Sequence, residues 1–147
     1  MGISLDARER AAMLGTHGEA VLATTDRTGT AVPLPVWYVM ADGAPHVRTP
    51  RSSKRVGHIS RNPRVSLLVH GGKAWRELRG ILLRARATII DEEPEVARIS
   101  DILDERFADL LPPPLPGAVA RRYAETVILR LDAIGEPMSW DNRKLRL

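Results

Sequence analysis

Ser52, Ser53, Lys54 and Arg55 set two hydroxyls and two cations side by side in the chain. They fall inside the stretch from His46 to His70, which reads as strand, short basic helix, turn and strand, and they open its helix. A helix N-terminus carries backbone N–H groups without intrahelical acceptors and a partial positive charge. A phosphate is the natural guest of such an end. Arg55 can fork onto two phosphate oxygens, and Lys54 adds a point charge. The same residues would also suit a capped, solvent-facing helix with ordinary surface charge.

Other residues could border a ligand. Pro33 and Pro35 stand two apart in an apolar strand, so the N–H groups they lack would have pointed to one side. That edge is expected to lie unpaired, against solvent or a ligand. Trp37 and Tyr38 adjoin it and could stack on a flat ring, although filling the core is the commoner use of such side chains. Trp140, followed by Asp141, Asn142, Arg143 and Lys144, sets a large aromatic beside two cations near the chain end. It could close over an anionic planar ligand, or pack on its own barrel or a partner subunit.

Other chemistries are excluded or unsupported. The chain has no cysteine, which removes disulfides, thiol nucleophiles and iron–sulfur clusters. His17, His46, His58 and His70 lack metal-ligand spacing, so no metal is expected. There is no glycine-rich phosphate loop and no nucleophile elbow. The acidic residues from Asp91 to Asp109 read as the solvated face of a helix. A net charge of +4 favours acidic partners, but aromatics are only 4% of the chain and no nucleic-acid motif is present. Apolar runs are too short to span a membrane, and the N-terminus has no signal-peptide core, so a cytoplasmic location is expected.

The elements that must position these residues follow from periodicity and turn chemistry. A helix is expected over 5–14, with strands over 19–25 and 30–40 flanking the turn at Asp26-Arg-Thr-Gly29. Ala41-Asp-Gly43 marks a hairpin before a strand at 44–49. Strands follow at 64–70 and 78–90, then a helix at 93–110 ended by the prolines of 112–116. A short helix at 117–124, a strand at 126–134 and a tail with a brief strand complete the chain. Six to seven antiparallel strands with inserted helices make a mainly β, barrel-like fold.

Together these pieces resemble the split β-barrel family that includes pyridoxamine 5'-phosphate oxidase, and within it the deazaflavin-dependent reductases of actinobacteria. The resemblance rests on Val21-Leu-Ala-Thr-Thr25, Val32-Pro-Leu-Pro-Val-Trp-Tyr38, the segment from Thr49 to Arg55, Asn62-Pro-Arg-Val-Ser66, Leu78-Arg-Gly80 and Ser139-Trp-Asp-Asn-Arg-Lys-Leu145. It runs over nearly the whole chain and implies one cofactor-binding split-barrel domain over residues 1–147. It also implies a homodimer with a flavin or deazaflavin in each of two intersubunit clefts. By position, Pro33, Leu34, Pro35, Val36 and Trp37 would border the ring system. Arg48 and Thr49 would flank the ribityl–phosphate end, and Ser53, Lys54 and Arg55 would hold the phosphate. Gly80 stands where a cofactor contact is often found, and Trp140 and Arg143 would approach from the C-terminal segment.

Two departures refine the reading. Family members commonly carry lysine at the position of Arg55. In pyridoxamine-phosphate oxidases the positions of Pro33 and Tyr38 are basic, and their replacement here argues against that activity. The Trp37-Tyr38 pair and the C-terminal motif look closer to the deazaflavin reductases. The implied function is an oxidoreductase that uses reduced coenzyme F(420) to transfer hydride to a small enone- or quinone-like substrate. The alternatives are an FMN-dependent oxidoreductase and a non-enzymatic binder of flavin, deazaflavin or tetrapyrrole. No catalytic side chain is assigned; Tyr38 is a conceivable proton donor. No nucleic-acid partner is expected.

Overall fold

The computed structural model describes residues 2–146. Helix α1 spans Ala7–Thr16, two residues later than the periodicity suggests. The shift comes from Asp6, which caps the helix: its carboxylate accepts from the Glu9 N–H at 2.8 Å while the Glu9 carboxylate accepts from the Asp6 N–H at 2.8 Å. Strands β1 (Glu19–Thr25) and β2 (Ala31–Trp37) form a hairpin. Asp26 holds the turn by accepting from the N–H groups of Thr28 and Thr30.

The single strand expected over 30–40 is broken. Tyr38 leaves the ladder and donates its N–H to the Gly18 carbonyl, and β3 (Val39–Ala41) then pairs with β4 (Ala44–Pro50). Asp42 and Gly43 both take positive φ in the tight turn between them, as a two-residue hairpin of this twist requires. Helix α2 (Lys54–Arg61) leads to β5 (Arg64–Gly71) and the long β6 (Arg79–Ile90). Helix α3 covers Glu93–Arg106 and stops short of the expected 110: Phe107 leaves helical geometry and one 3-10 turn, Ala108–Leu110, follows. Helix α4 (Gly117–Ala124), β7 (Thr126–Ala133) and β8 (Met138–Asp141) complete the chain.

All described pairings are antiparallel, in the order β2-β1-β5-β6-β7-β4-β3, with β8 added to β6. The two ends of this order, β2 and β3, are consecutive in sequence. The barrel therefore closes through the covalent chain at Tyr38 rather than by hydrogen bonds, and a slot is left between β2 and β4. This is the split barrel, mainly β with flanking helices. Inward residues such as Leu22, Val47, Leu67, Val69, Ile81, Leu83, Leu129 and Leu131 fill it. A second apolar cluster lies outside, where Ile99, Leu103 and Phe107 of the α3 segment pack on Val39 and Ile128. No helix among the described residues is long and apolar enough to cross a membrane.

Candidate functional site

The slot between β2 and β4 is the candidate site. Pro33 and Pro35 lie opposite Ala23 and Val21 in an unbroken ladder with β1, so their missing donors point away from β1. Among the described residues no strand pairs with that edge. Beside it opens a cleft of about 420 Å³, lined by Pro35, Val36 and Trp37 of β2, Arg48, Thr49 and Pro50 of β4, Arg55 of α2, Leu103 of α3, Thr126, and Leu111, Pro112 and Tyr123 from the segment between α3 and β7.

The polar end is built by the β4–α2 connection. Ser53 is the N-cap of α2, yet its hydroxyl caps no helix N–H and instead lies 3.1 Å from the Thr49 hydroxyl. The Arg55 guanidinium donates to the same Thr49 oxygen at 3.2 Å. Arg55 is half-buried, and among the described residues it forms an ion pair with no carboxylate. Burial alone pushes its pKa down. A desolvated cation between hydroxyls at a helix N-terminus, with no counter-charge among the described residues, has the chemistry to receive an anion.

Arg48 is differently placed: it donates to Asp104 of α3 at 2.8 Å, so one cation of the cleft is already neutralised within the chain. Asp104 therefore corrects the reading of the α3 carboxylates as a solvated face. Asp104 reaches the cleft wall only through that ion pair, and the other acidic residues of the segment stay at the surface. Trp37 fills two roles. One ring face stacks on Phe107, centroid to centroid 4.5 Å and nearly parallel, while the residue also borders the cleft.

Tyr38 does not border the cleft. It is buried, and its hydroxyl donates to the Leu14 carbonyl at 2.7 Å. Burial pushes its pKa up, against an opposing pull from Arg106. These facts fit a core residue rather than a proton donor.

Of the residues singled out in the sequence, the structure thus gathers Pro35, Val36, Trp37, Arg48, Thr49 and Arg55 around one cleft, with Ser53 attached through Thr49. It sets the others elsewhere. Pro33 and Leu34 lie further along β2 and are exposed. Lys54 turns to the other side of α2, beside Arg27, His58 and Arg61. Gly80 and Trp140 pair across β6 and β8; a Cβ on Gly80 would sit 2.6 Å from the indole, so the glycine makes room for that ring. Arg143 is clamped to its near neighbour Asp141, through Nε at 2.9 Å and Nη2 at 2.7 Å. No group of side chains suited to a metal ion occurs among the described residues.

Sequence reasoning named the 111–118 loop as one that would shape the substrate site but no individual residue of the cleft's far wall. Leu111, Pro112 and Tyr123 come from a proline-rich connector and a short helix, whose path no local periodicity fixes. The cleft has an apolar, partly aromatic wall and one cationic end. Its lining contains no histidine, cysteine or carboxylate. Such a lining suits a flat, anion-tailed molecule, and Tyr123 is its one phenol.

The profile described as pyridoxamine 5'-phosphate oxidase matches residues 7–134, and the chain belongs to that family. Among solved structures it is similar to the conserved hypothetical protein Rv2991 from Mycobacterium tuberculosis, with 27% identity and a TM-score of 0.82 over 97% of this chain and 88% of that one. It shares the fold of an F(420) reductase, at 20% identity and a TM-score of 0.66, over 84% of this chain and 92% of the other. It also shares the fold of HutZ, a heme storage protein from Vibrio cholerae, at 15% identity and a TM-score of 0.72, over 95% and 96%. A search of curated proteins finds no match.

Proposed function

We propose that this protein is an oxidoreductase that binds a phosphate-bearing deazaflavin, coenzyme F(420), in the slot between β2 and β4. The observation that carries the reading is Arg55, half-buried without a carboxylate partner among the described residues, beside Thr49 and Ser53 at the start of α2. Arg55, Thr49 and Ser53 would hold the phosphate, and Pro35, Val36 and Trp37 would border the ring. Arg48, held by Asp104, would line the path between them. Bound and reduced, the coenzyme supplies a hydride for an electron-poor double bond such as that of an enone or quinone. The chain's own residues bind, orient and exclude water.

A homodimer accounts for the residues left outside the cleft. On the outer face of the sheet, Pro35, Val21, Leu68, Leu82 and Met138 stand in one register row across β2, β1, β5, β6 and β8. Trp37 lies at one end of the next row, and His70, Gly80 and Trp140 lie towards the other. Four strand spacings put the two tryptophans about 19 Å apart along the sheet, so one copy does not bring them to a single ring. An isologous contact whose two-fold axis runs along β5 would exchange the ends of the row. The partner's Trp140, lying over the partner's Gly80, would then face Trp37.

Titration of the purified protein with reduced and oxidised F(420), and with FMN, tests the reading. Micromolar binding of F(420) with turnover of a quinone or enone panel supports it. Preference for FMN moves the assignment to a flavoenzyme of the same fold, and binding of neither removes it.

A further inference from the structure

We propose a second anion site, separate from the cleft, on the outer face of the sheet between β1, β5 and β6. A groove of about 260 Å³ opens there, bounded by Ala31 and Ile134 and lined by Thr25, Ser66, Arg64 and Arg84. The register makes it unusual. Arg64 lies directly opposite Arg86, and Arg84 lies directly opposite Ser66. Like charges facing each other across strands destabilise a sheet. The carboxylate that could offset them, Asp132 opposite Arg86, is engaged by Arg130 at 3.0 Å. Among the described residues, Arg64, Arg84 and Arg86 form no ion pair, and the Thr25 and Ser66 hydroxyls have no protein hydrogen-bond partner. Two guanidinium forks and two unspent hydroxyls around one groove suit a carboxylate or phosphate group, which would also offset the repulsion.

The site stands beyond the apolar row, towards the β1–β2 turn, and shares no residue with the cleft. It therefore does not depend on the deazaflavin reading. The test is thermal unfolding of the full chain against increasing sodium phosphate or sodium citrate, with sodium chloride matched for ionic strength. The two anions separate phosphate from carboxylate selectivity. A saturable rise in Tm with one of them, beyond that in chloride, is expected. Arg64→Gln and Arg84→Gln should each weaken the apparent affinity roughly tenfold and leave FMN titration unchanged. Arg86→Gln should raise Tm in chloride, by removing the opposed charge. A rise that follows ionic strength alone overturns the proposal. So does wild-type anion affinity in the Arg64 and Arg84 variants, or loss of the effect on Arg55→Met instead, which would locate the anion in the cleft.

Discussion

Replacing Arg55 with methionine separates a binding residue from a structural one. The substitution removes a single long hydrogen bond, 3.2 Å to the Thr49 hydroxyl, worth at most about 1 kcal/mol net. It also removes a desolvated charge with no carboxylate partner among the described residues, which works in the opposite direction. The unliganded protein should therefore change by less than about 1 kcal/mol, a Tm shift of no more than about 4 °C for a chain of this size. Coenzyme binding should respond very differently. Losing charge-assisted bonds to a phosphate costs about 1.5–3 kcal/mol, or roughly 10- to 150-fold in Kd. Arg55→Lys keeps the charge but not the fork and should fall between the two. Calorimetric unfolding and fluorescence titration on the same preparations measure both quantities. A large loss of stability with unchanged coenzyme affinity would refute the reasoning and make Arg55 a structural residue.

Tyr38→Phe should cost about 1–2 kcal/mol in urea denaturation, because the Leu14 carbonyl loses its donor. Coenzyme reoxidation rates should not change; a collapse in turnover with intact binding would make Tyr38 the proton donor after all. Met138→Asp places a charge at the exposed end of the apolar row and should convert a dimer to a monomer in light scattering, with weakened coenzyme binding. A wild-type protein that is monomeric yet binds fully would contradict the two-fold arrangement. His46 is buried, its Nδ1 lies 2.9 Å from the Ala44 carbonyl, and among the described residues its Nε2 has no partner. Burial first, and the nearby Arg130 as well, hold its pKa below the usual histidine range, against the Ala44 bond and Asp42. Its folded pKa is thus depressed, so the stability it contributes is present above about pH 6.5 and is lost as pH falls below it. His46→Leu should flatten the profile between pH 7 and 5, and an unchanged slope would show that this ring does not set it.

Local chemistry carried most of the fold into the sequence. Asp26-Arg-Thr-Gly29 announced a turn, Asp42-Gly43 a hairpin, and the alternation of Ile81, Leu83, Ala85 and Ala87 a half-buried strand, whereas the Asp6–Glu9 cap was overlooked and the start of α1 set too early. What failed was tertiary in origin. Nothing within 30–40 signals a change of pairing partner at Tyr38, because the break depends on the distant Gly18 carbonyl. Phe107 ends α3 early where its ring meets Trp37 and the space left by Gly18, contacts almost a barrel away in sequence. The same division runs through the site. Thr49, Ser53 and Arg55 lie within seven residues and were visible as a unit, and the proline edge declared itself through missing donors. Lys54 was grouped with Arg55 for its charge at the same helix end, but successive helical residues point about 100° apart, and it lies on the other side of α2. The separation of Gly80, Trp140 and Arg143 from the cleft depends on how strands are ordered in space, which spacing along the chain does not encode.

The central claim is that the slot grips a coenzyme by its phosphate. Paired equilibrium titrations test it most directly: F(420) against its phosphate-free riboside, and FMN against riboflavin, each with the wild type and Arg55→Met. The account predicts that, for whichever coenzyme binds, the phosphorylated form does so at least roughly tenfold more tightly, and that the advantage disappears in the variant. Equal affinity for the phosphorylated and phosphate-free forms in the wild type would contradict it.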